Sequence, residues 1–274
     1  MSDVLILGAN GFLGTELYRQ ARTLGHVVTG TWFSRPSTCI DGVHLDLRDR
    51  TAVRALVMRS RPALIINAAF RQYEWDITAI GPVNAALAAA EVGSQFVQVS
   101  SDVVFRGRPT PYPEDASPDP TTPYGAAKAA AETAVPAIVA TAVIARTSLI
   151  MGPGSEHERR VLDQLAGRES GVLFTDDVRC PVHVTDLAAA LLEVGSSGLR
   201  GIFHLGGPDA LTRYDAGRLI AVAARQEADR LRPGVRSDVG LAGPSVIMLD
   251  GSKSQGALRT RLRGANEFLA MPMG

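Results

Sequence analysis

Cysteine is nearly missing from this chain: Cys39 and Cys180 are the only two among 274 residues. Two thiols cannot build a disulfide framework or a four-ligand zinc site, and with no neighbouring His or Cys as a partner both are expected to stay reduced and inert. A dominant charge is missing too. Lys+Arg 28 against Asp+Glu 28 gives a formal net charge of +0 and a pI near 7.0, leaving no positive surplus to condense on nucleic acid or an anionic membrane. Apolar runs such as Ala137 to Ile144 fall far short of the ~20 residues a membrane-spanning helix needs. Met1-Ser2-Asp3 leads straight into an apolar strand without a basic region or cleavage site, so a cytoplasmic protein is expected. The five histidines show no metal-ligand spacing; no metal is expected, and structural or solvated roles are expected for His26, His183 and His204.

What the chain does have is alternation. With 46% hydrophobic and 20% charged residues, β-branched runs near 3–7, 26–31, 43–45, 63–67, 95–100 and 141–147 alternate with Ala-rich helical patterns near 12–24, 51–59, 79–92 and 123–134. That order predicts an α/β fold, a Rossmann-type doubly wound parallel sheet over 1–150. After Gly152-Pro153-Gly154 the pattern loosens, and 151–274 is expected to form a smaller, partly interleaved substrate lobe, with 201–206 returning to the sheet. Six prolines between Arg106 and Pro123 exclude strand or long helix and predict an ordered loop beside the site.

The first strand runs directly into Gly8-Ala9-Asn10-Gly11-Phe12-Leu13-Gly14 and then a helical pattern. Glycines at this spacing permit a sharp turn and a close approach of the backbone to a pyrophosphate, which the helix N-terminus then faces with free N–H groups. A dinucleotide is the expected cofactor. The second strand ends not in an acid but in Trp32-Phe33-Ser34-Arg35; Ser34 and Arg35 suit a 2′-phosphate and favour NADP, NADPH over NADH, unless Arg35 is a plain solvated charge. Asp46, followed by Leu47, is placed either to meet an adenine edge or to cap the next helix.

Thr122-Pro123 is a helix start, which sets Tyr124 in the first turn and Lys128 four residues on, on the same face. An ammonium near a phenol brings its pKa toward the working range, so the pair is suited to proton transfer.

The succession of the glycine turn, Ser100-Ser101-Asp102-Val103-Val104-Phe105, the Pro-rich loop with Glu114-Asp115, Pro123-Tyr124-Gly125, Lys128, Arg146-Thr147-Ser148 and Arg179-Cys180-Pro181 resembles the extended short-chain dehydrogenases/reductases. Within them it is most similar to the dTDP-4-dehydrorhamnose reductase (sugar-nucleotide reductase) family. The resemblance implies that Tyr124 is the general acid in carbonyl reduction, that Lys128 holds the nicotinamide ribose and lowers the tyrosine pKa, and that Ser101 bonds the substrate carbonyl. It implies that Ala68, Ala69 and Phe70 line the ribose and nicotinamide, and that Gly11, Phe12 and Leu13 meet the pyrophosphate. Thr78, with Asn84 further along, stands nearest the position where relatives carry an Asn for a relay water. Val103 and Leu149 stand where the rhamnose enzymes usually carry a tyrosine and a tryptophan, which predicts an apolar, roomier pocket. Arg179 is suited to a substrate diphosphate or carboxylate. Tyr73 and Trp75 form either a substrate wall or a surface loop with a buried Trp, while Arg225 to Arg236 and Arg259 to Arg263 are expected to be solvated faces. The expected function is NADPH-dependent reduction of a ketone on a nucleotide-linked (deoxy)sugar or similar polar metabolite. An epimerase or dehydratase on the same cofactor, or a non-catalytic regulatory NADP-binding subunit, is the alternative. A small-molecule substrate is the expected partner, and a homodimer is left open.

Overall fold

The structure, a computed structural model, describes residues 3–34 and 42–269. Arg35 and Cys39 lie outside the described residues. Strand β1 (Asp3–Leu7) is followed by α1 (Phe12–Thr23), β2 (Val27–Trp32), β3 (Gly42–His44), α2 (Arg50–Ser60), β4 (Leu64–Asn67), α3 (Gly81–Val92), β5 (Gln95–Ser101), α4 (Pro123–Ile138) and β6 (Val143–Thr147). After these come α5 (Glu156–Leu165), α6 (Val184–Ser196), β7 (Gly201–His204) and α7 (Arg213–Ala223). Seven parallel strands pair in the order β7-β6-β5-β4-β1-β2-β3. Chain order reverses between β1 and β4, the switch point outside whose carboxyl ends open α/β sheets bind ligands.

Alternation along β1 shows how the two layers form. Val4 and Ile6 pack among residues of α1 and α6, whereas Leu5 and Leu7 pack among residues of α2, α3 and α4. Each fully buried aliphatic side chain of this kind stabilises the fold by about 1.5–3 kcal/mol. Helix boundaries follow local chemistry. The Asp49 carboxylate caps α2 by accepting from the Ala52 N–H at 2.9 Å, so the cap is Asp49 and not Asp46. The Thr122 hydroxyl caps α4 through Gly125 N at 3.1 Å, and Pro123 opens that helix. Gly125 is required by packing: a Cβ there would collide with the Val103 carbonyl oxygen, so a side chain would push α4 off the turn after β5. Before α3, where the spacing predicts helix only from 79, a π-turn spans Asp76–Ile80.

Helices α5 and α7 pack on each other around Val161, Leu165 and Ile220, and a short antiparallel ladder joins Val178–Arg179 to Leu211–Thr212. The Pro-rich loop is pinned by Tyr112, which stacks on Phe105 with centroids 4.0 Å apart. Its N–H also bonds the Met248 carbonyl at 2.8 Å. Among the described residues no helix is long and apolar enough to cross a membrane.

Candidate active site

At the switch point lies a groove of about 690 Å³, lined by Gly8, Asn10 and Gly11, by Thr31 to Ser34, by Leu45 and Leu47, and by Ala68 to Arg71. Gly8 sits at φ +78°, and a Cβ there would meet the Ala69 backbone at 2.8 Å. Helix α1 has Gly11 as N-cap, with no side-chain cap and no acid in its first turn. The first N–H groups are thus left for an anion, and the donor set fits a dinucleotide pyrophosphate. Phe12 and Leu13 open α1, and Leu13 and Gly14 are buried; of this turn, Gly8, Asn10 and Gly11 line the groove. Asp46 is held by Arg48 at 2.7 Å and does not line the groove. Phe33 lies between the guanidinium groups of Arg48 and Arg71, at 5.2 and 5.6 Å, next to Ser34.

A second cleft, of about 890 Å³, opens beyond the groove. Tyr124 stands between the two: it lines the cleft, and its ring lies 5.7 Å from that of Phe70 in the groove wall. Its hydroxyl is hydrogen-bonded to Ser101. Ser101 Oγ in turn donates to Asp102 Oδ1 at 3.2 Å, and Ser148 Oγ donates to Asp102 Oδ2 at 2.6 Å. Burial, and next the Asp102 carboxylate, push the Tyr124 phenol above its ordinary value. The expected lowering by Lys128 is not found. Lys128 Nζ instead donates to the Val99 carbonyl at 3.0 Å and lies 5.2 Å from the Phe70 ring centroid. Burial brings its pKa down to about 8, against the pull of Glu132.

Thr78, Asn84 and Arg236 are placed otherwise than expected. The Thr78 hydroxyl donates to the Arg71 carbonyl at 2.7 Å and accepts from the Arg71 N–H at 3.0 Å, and Asn84 donates to the Leu47 carbonyl at 2.9 Å; both are engaged in fixing loops. Arg179 lines the cleft, where it is buried and tied to Asp177 at 2.6 Å and to the carbonyls of Val178, Pro244 and Ser245. Arg236 is no solvated charge; it is buried and pairs with Asp177 at 3.2 Å. Cys180 is buried with its thiol pushed up to about 11, chiefly by burial, as an inert thiol should be.

Val103, Leu149, Tyr73 and Trp75 all line the cleft. Around Val103 and Leu149 the wall is largely apolar, with Val172, Leu173 and Phe174, and it also carries Gln72, Glu156, His157, Arg160 and Arg213. The last three come from α5 and α7 and belong to no motif. What places Arg213 here is the pairing of Leu211–Thr212 with Val178–Arg179, a contact between segments far apart in sequence.

This sheet, with its glycine turn and a Ser-Tyr-Lys set at the carboxyl edge, is that of an extended short-chain dehydrogenase/reductase of the sugar-nucleotide reductase kind. The chain belongs to the RmlD substrate binding domain family, which matches residues 1–263. It is 31% identical to a dTDP-4-dehydrorhamnose reductase of Mycolicibacterium smegmatis over 97% of this chain and 83% of that protein. It is 30% identical to the methionine adenosyltransferase 2 subunit beta of Xenopus laevis, over 86% of this chain and 76% of that protein. The crystal structure of a dTDP-4-dehydrorhamnose reductase from Bacillus anthracis in complex with NADP superposes with a TM-score of 0.86. That protein is 25% identical, and the match covers 98% of this chain and 96% of the other.

Proposed function

We propose that this protein is an NADPH-dependent reductase of a ketone carried on a nucleotide-linked sugar, with Tyr124 as proton donor. The observation that carries the reading is the position of the Tyr124 phenol at the seam of groove and cleft, protonated at neutral pH because burial and Asp102 both oppose its ionisation. A nicotinamide held in the groove would supply the hydride for the carbonyl carbon. Tyr124 Oη gives its proton to the carbonyl oxygen, so the C=O bond becomes an alcohol and the phenolate recovers a proton from solvent. Ser101, anchored by Asp102, orients the phenol and the carbonyl oxygen. Lys128, held over Phe70 and bonded to Val99, stands where the nicotinamide ribose is expected.

The relatives named for dTDP-4-dehydrorhamnose reduction and the neighbour complexed with NADP support this reading. Ser34 in the groove supports NADPH over NADH. Dissociation constants for the two cofactors, followed by product analysis with a nucleotide-linked 4-ketosugar, test it. Tighter NADPH binding with stoichiometric formation of the alcohol is expected. Tight NADPH binding without turnover on any ketosugar would favour a binding-only role.

A further inference from the structure

We propose that Arg213 is the anion-binding residue of the substrate cleft, taking the diphosphate of the substrate. The inference rests on reading that cleft as the substrate side of the reductase. Three guanidinium groups converge on one carboxylate, Asp177: Arg179 at 2.6 Å, Arg236 at 3.2 Å and Arg213 at 3.4 Å. The first two complete their bonding inside the protein. Arg179 donates to three backbone carbonyls and lies 3.6 Å from Asp102, and Arg236 donates to the Ala242 carbonyl at 2.8 Å. Arg213 does not. Its side chain makes one long contact through Nε, and among the described residues its two terminal nitrogens have no acceptor. The cleft reaches it, with 26% of its side chain exposed. Nearby Arg160 is matched by Glu156 and Glu169 at 3.7 and 3.5 Å.

Burial pushes the Arg213 pKa down, the sign of a cation whose lost hydration is only partly replaced. The wall beside it points the same way. His157, nine-tenths buried, is bonded through its ring to the Arg213 backbone, while its Nε2 is enclosed without a partner. Burial and the charges of Arg213 and Arg160 hold that ring neutral, with a pKa of about 3, so the ring adds no charge and Arg213 is the unmatched cation of this wall. A guanidinium with a free fork of donors open to the cleft matches the paired oxygens of a phosphate.

Calorimetric titration of the protein saturated with NADP⁺, so that the groove is filled, tests this with thymidine 5′-diphosphate, thymidine and inorganic pyrophosphate. Both anions are expected to bind wild type and thymidine far less tightly. Arg213→Met is expected to weaken the two anions about ten- to a hundredfold with the NADP⁺ dissociation constant unchanged. An Arg213→Met protein that keeps NADP⁺ and binds the nucleotide as tightly as wild type overturns the assignment and leaves the reductase reading standing. Arg213-dependent binding of pyrophosphate without the nucleotide upholds the anion site and counts against a nucleotide-linked substrate. No binding of either anion to wild type overturns the proposal. If Arg213→Met loses NADP⁺ by misfolding, Arg213→Lys carries the test: severalfold weaker binding is expected from the lost fork, and unchanged binding overturns the proposal.

Discussion

Burial and Asp102 hold the Tyr124 proton against the pull of Ser101, which differs from what the spacing of Tyr124 and Lys128 implies. Four residues apart on one helix face, the pair reads as an ammonium lowering a phenol. In the fold, Lys128 donates to the Val99 carbonyl while lying 5.8 Å from the Tyr124 ring centroid, and the charge that shifts the phenol is that of Asp102. The consequence is a phenol poised to give a proton rather than take one, which suits reduction. Lys128 is therefore expected to act through the bound cofactor. Lys128→Met should raise the NADPH dissociation constant and lower kcat together, measured by fluorescence titration and steady-state kinetics; loss of only one would separate the two roles. The shared helix face of Tyr124 and Lys128 was legible because helix cap and i, i+4 spacing are local features, whereas Ser101 came only through the family resemblance. Arg213 and His157 were not: their place at the cleft depends on how α5 and α7 fold back, which no local pattern encodes.

Helix α4 links the reacting groups to the core through one buried ion pair. Glu132, one turn beyond Lys128, receives Arg146 of β6 at 2.8 Å, with side-chain exposures of 3% and 0%. Arg146 also donates to the Glu114 and Ala116 carbonyls of the Pro-rich loop at 3.2 and 3.3 Å. Breaking a buried pair from one side leaves a charge unpaired, at a cost of about 3–5 kcal/mol. Glu132→Gln should therefore lower stability by that order in chemical denaturation. It should also move the Lys128 pKa further below about 8, since Glu132 is what holds it up, shifting the alkaline limb of the rate profile to lower pH. Gly125→Ala tests the same helix at its other end. The added methyl meets the Val103 carbonyl, and overpacking of this kind costs about 1–3 kcal/mol, so a lower melting temperature and a reduced kcat are expected together. The existence of α4 and its start were readable from Thr122 and Pro123; its continuation through Pro136 to Ile138 was not, because packing of Val135 in the core outweighs the proline signal.

Across the whole molecule, the parallel sheet and its order follow from alternating apolar runs and right-handed crossovers, which is why the fold class was legible from sequence. The packing of α6 on the same sheet face as α1 was not, since a helical pattern does not say which surface it covers. Two histidines bear on the stability of the entire fold. Burial holds His157 and His204 near pKa values of about 3 and about 4, below the ordinary 6.5. The unfolded chain thus binds protons that the folded one refuses, and the stability present above pH 6.5 is lost as pH falls toward 4. The melting temperature should fall through that window, and less steeply in a His157→Gln, His204→Gln double variant; equal slopes would contradict the assignment. The central claim, reduction with Tyr124 as proton donor, is tested most directly by NADPH oxidation with a nucleotide-linked 4-ketosugar, comparing wild type with Tyr124→Phe. A loss of roughly 10²–10⁴-fold in kcat is expected, with the NADPH dissociation constant close to unchanged. A Tyr124→Phe protein that turns over at the wild-type rate would contradict it.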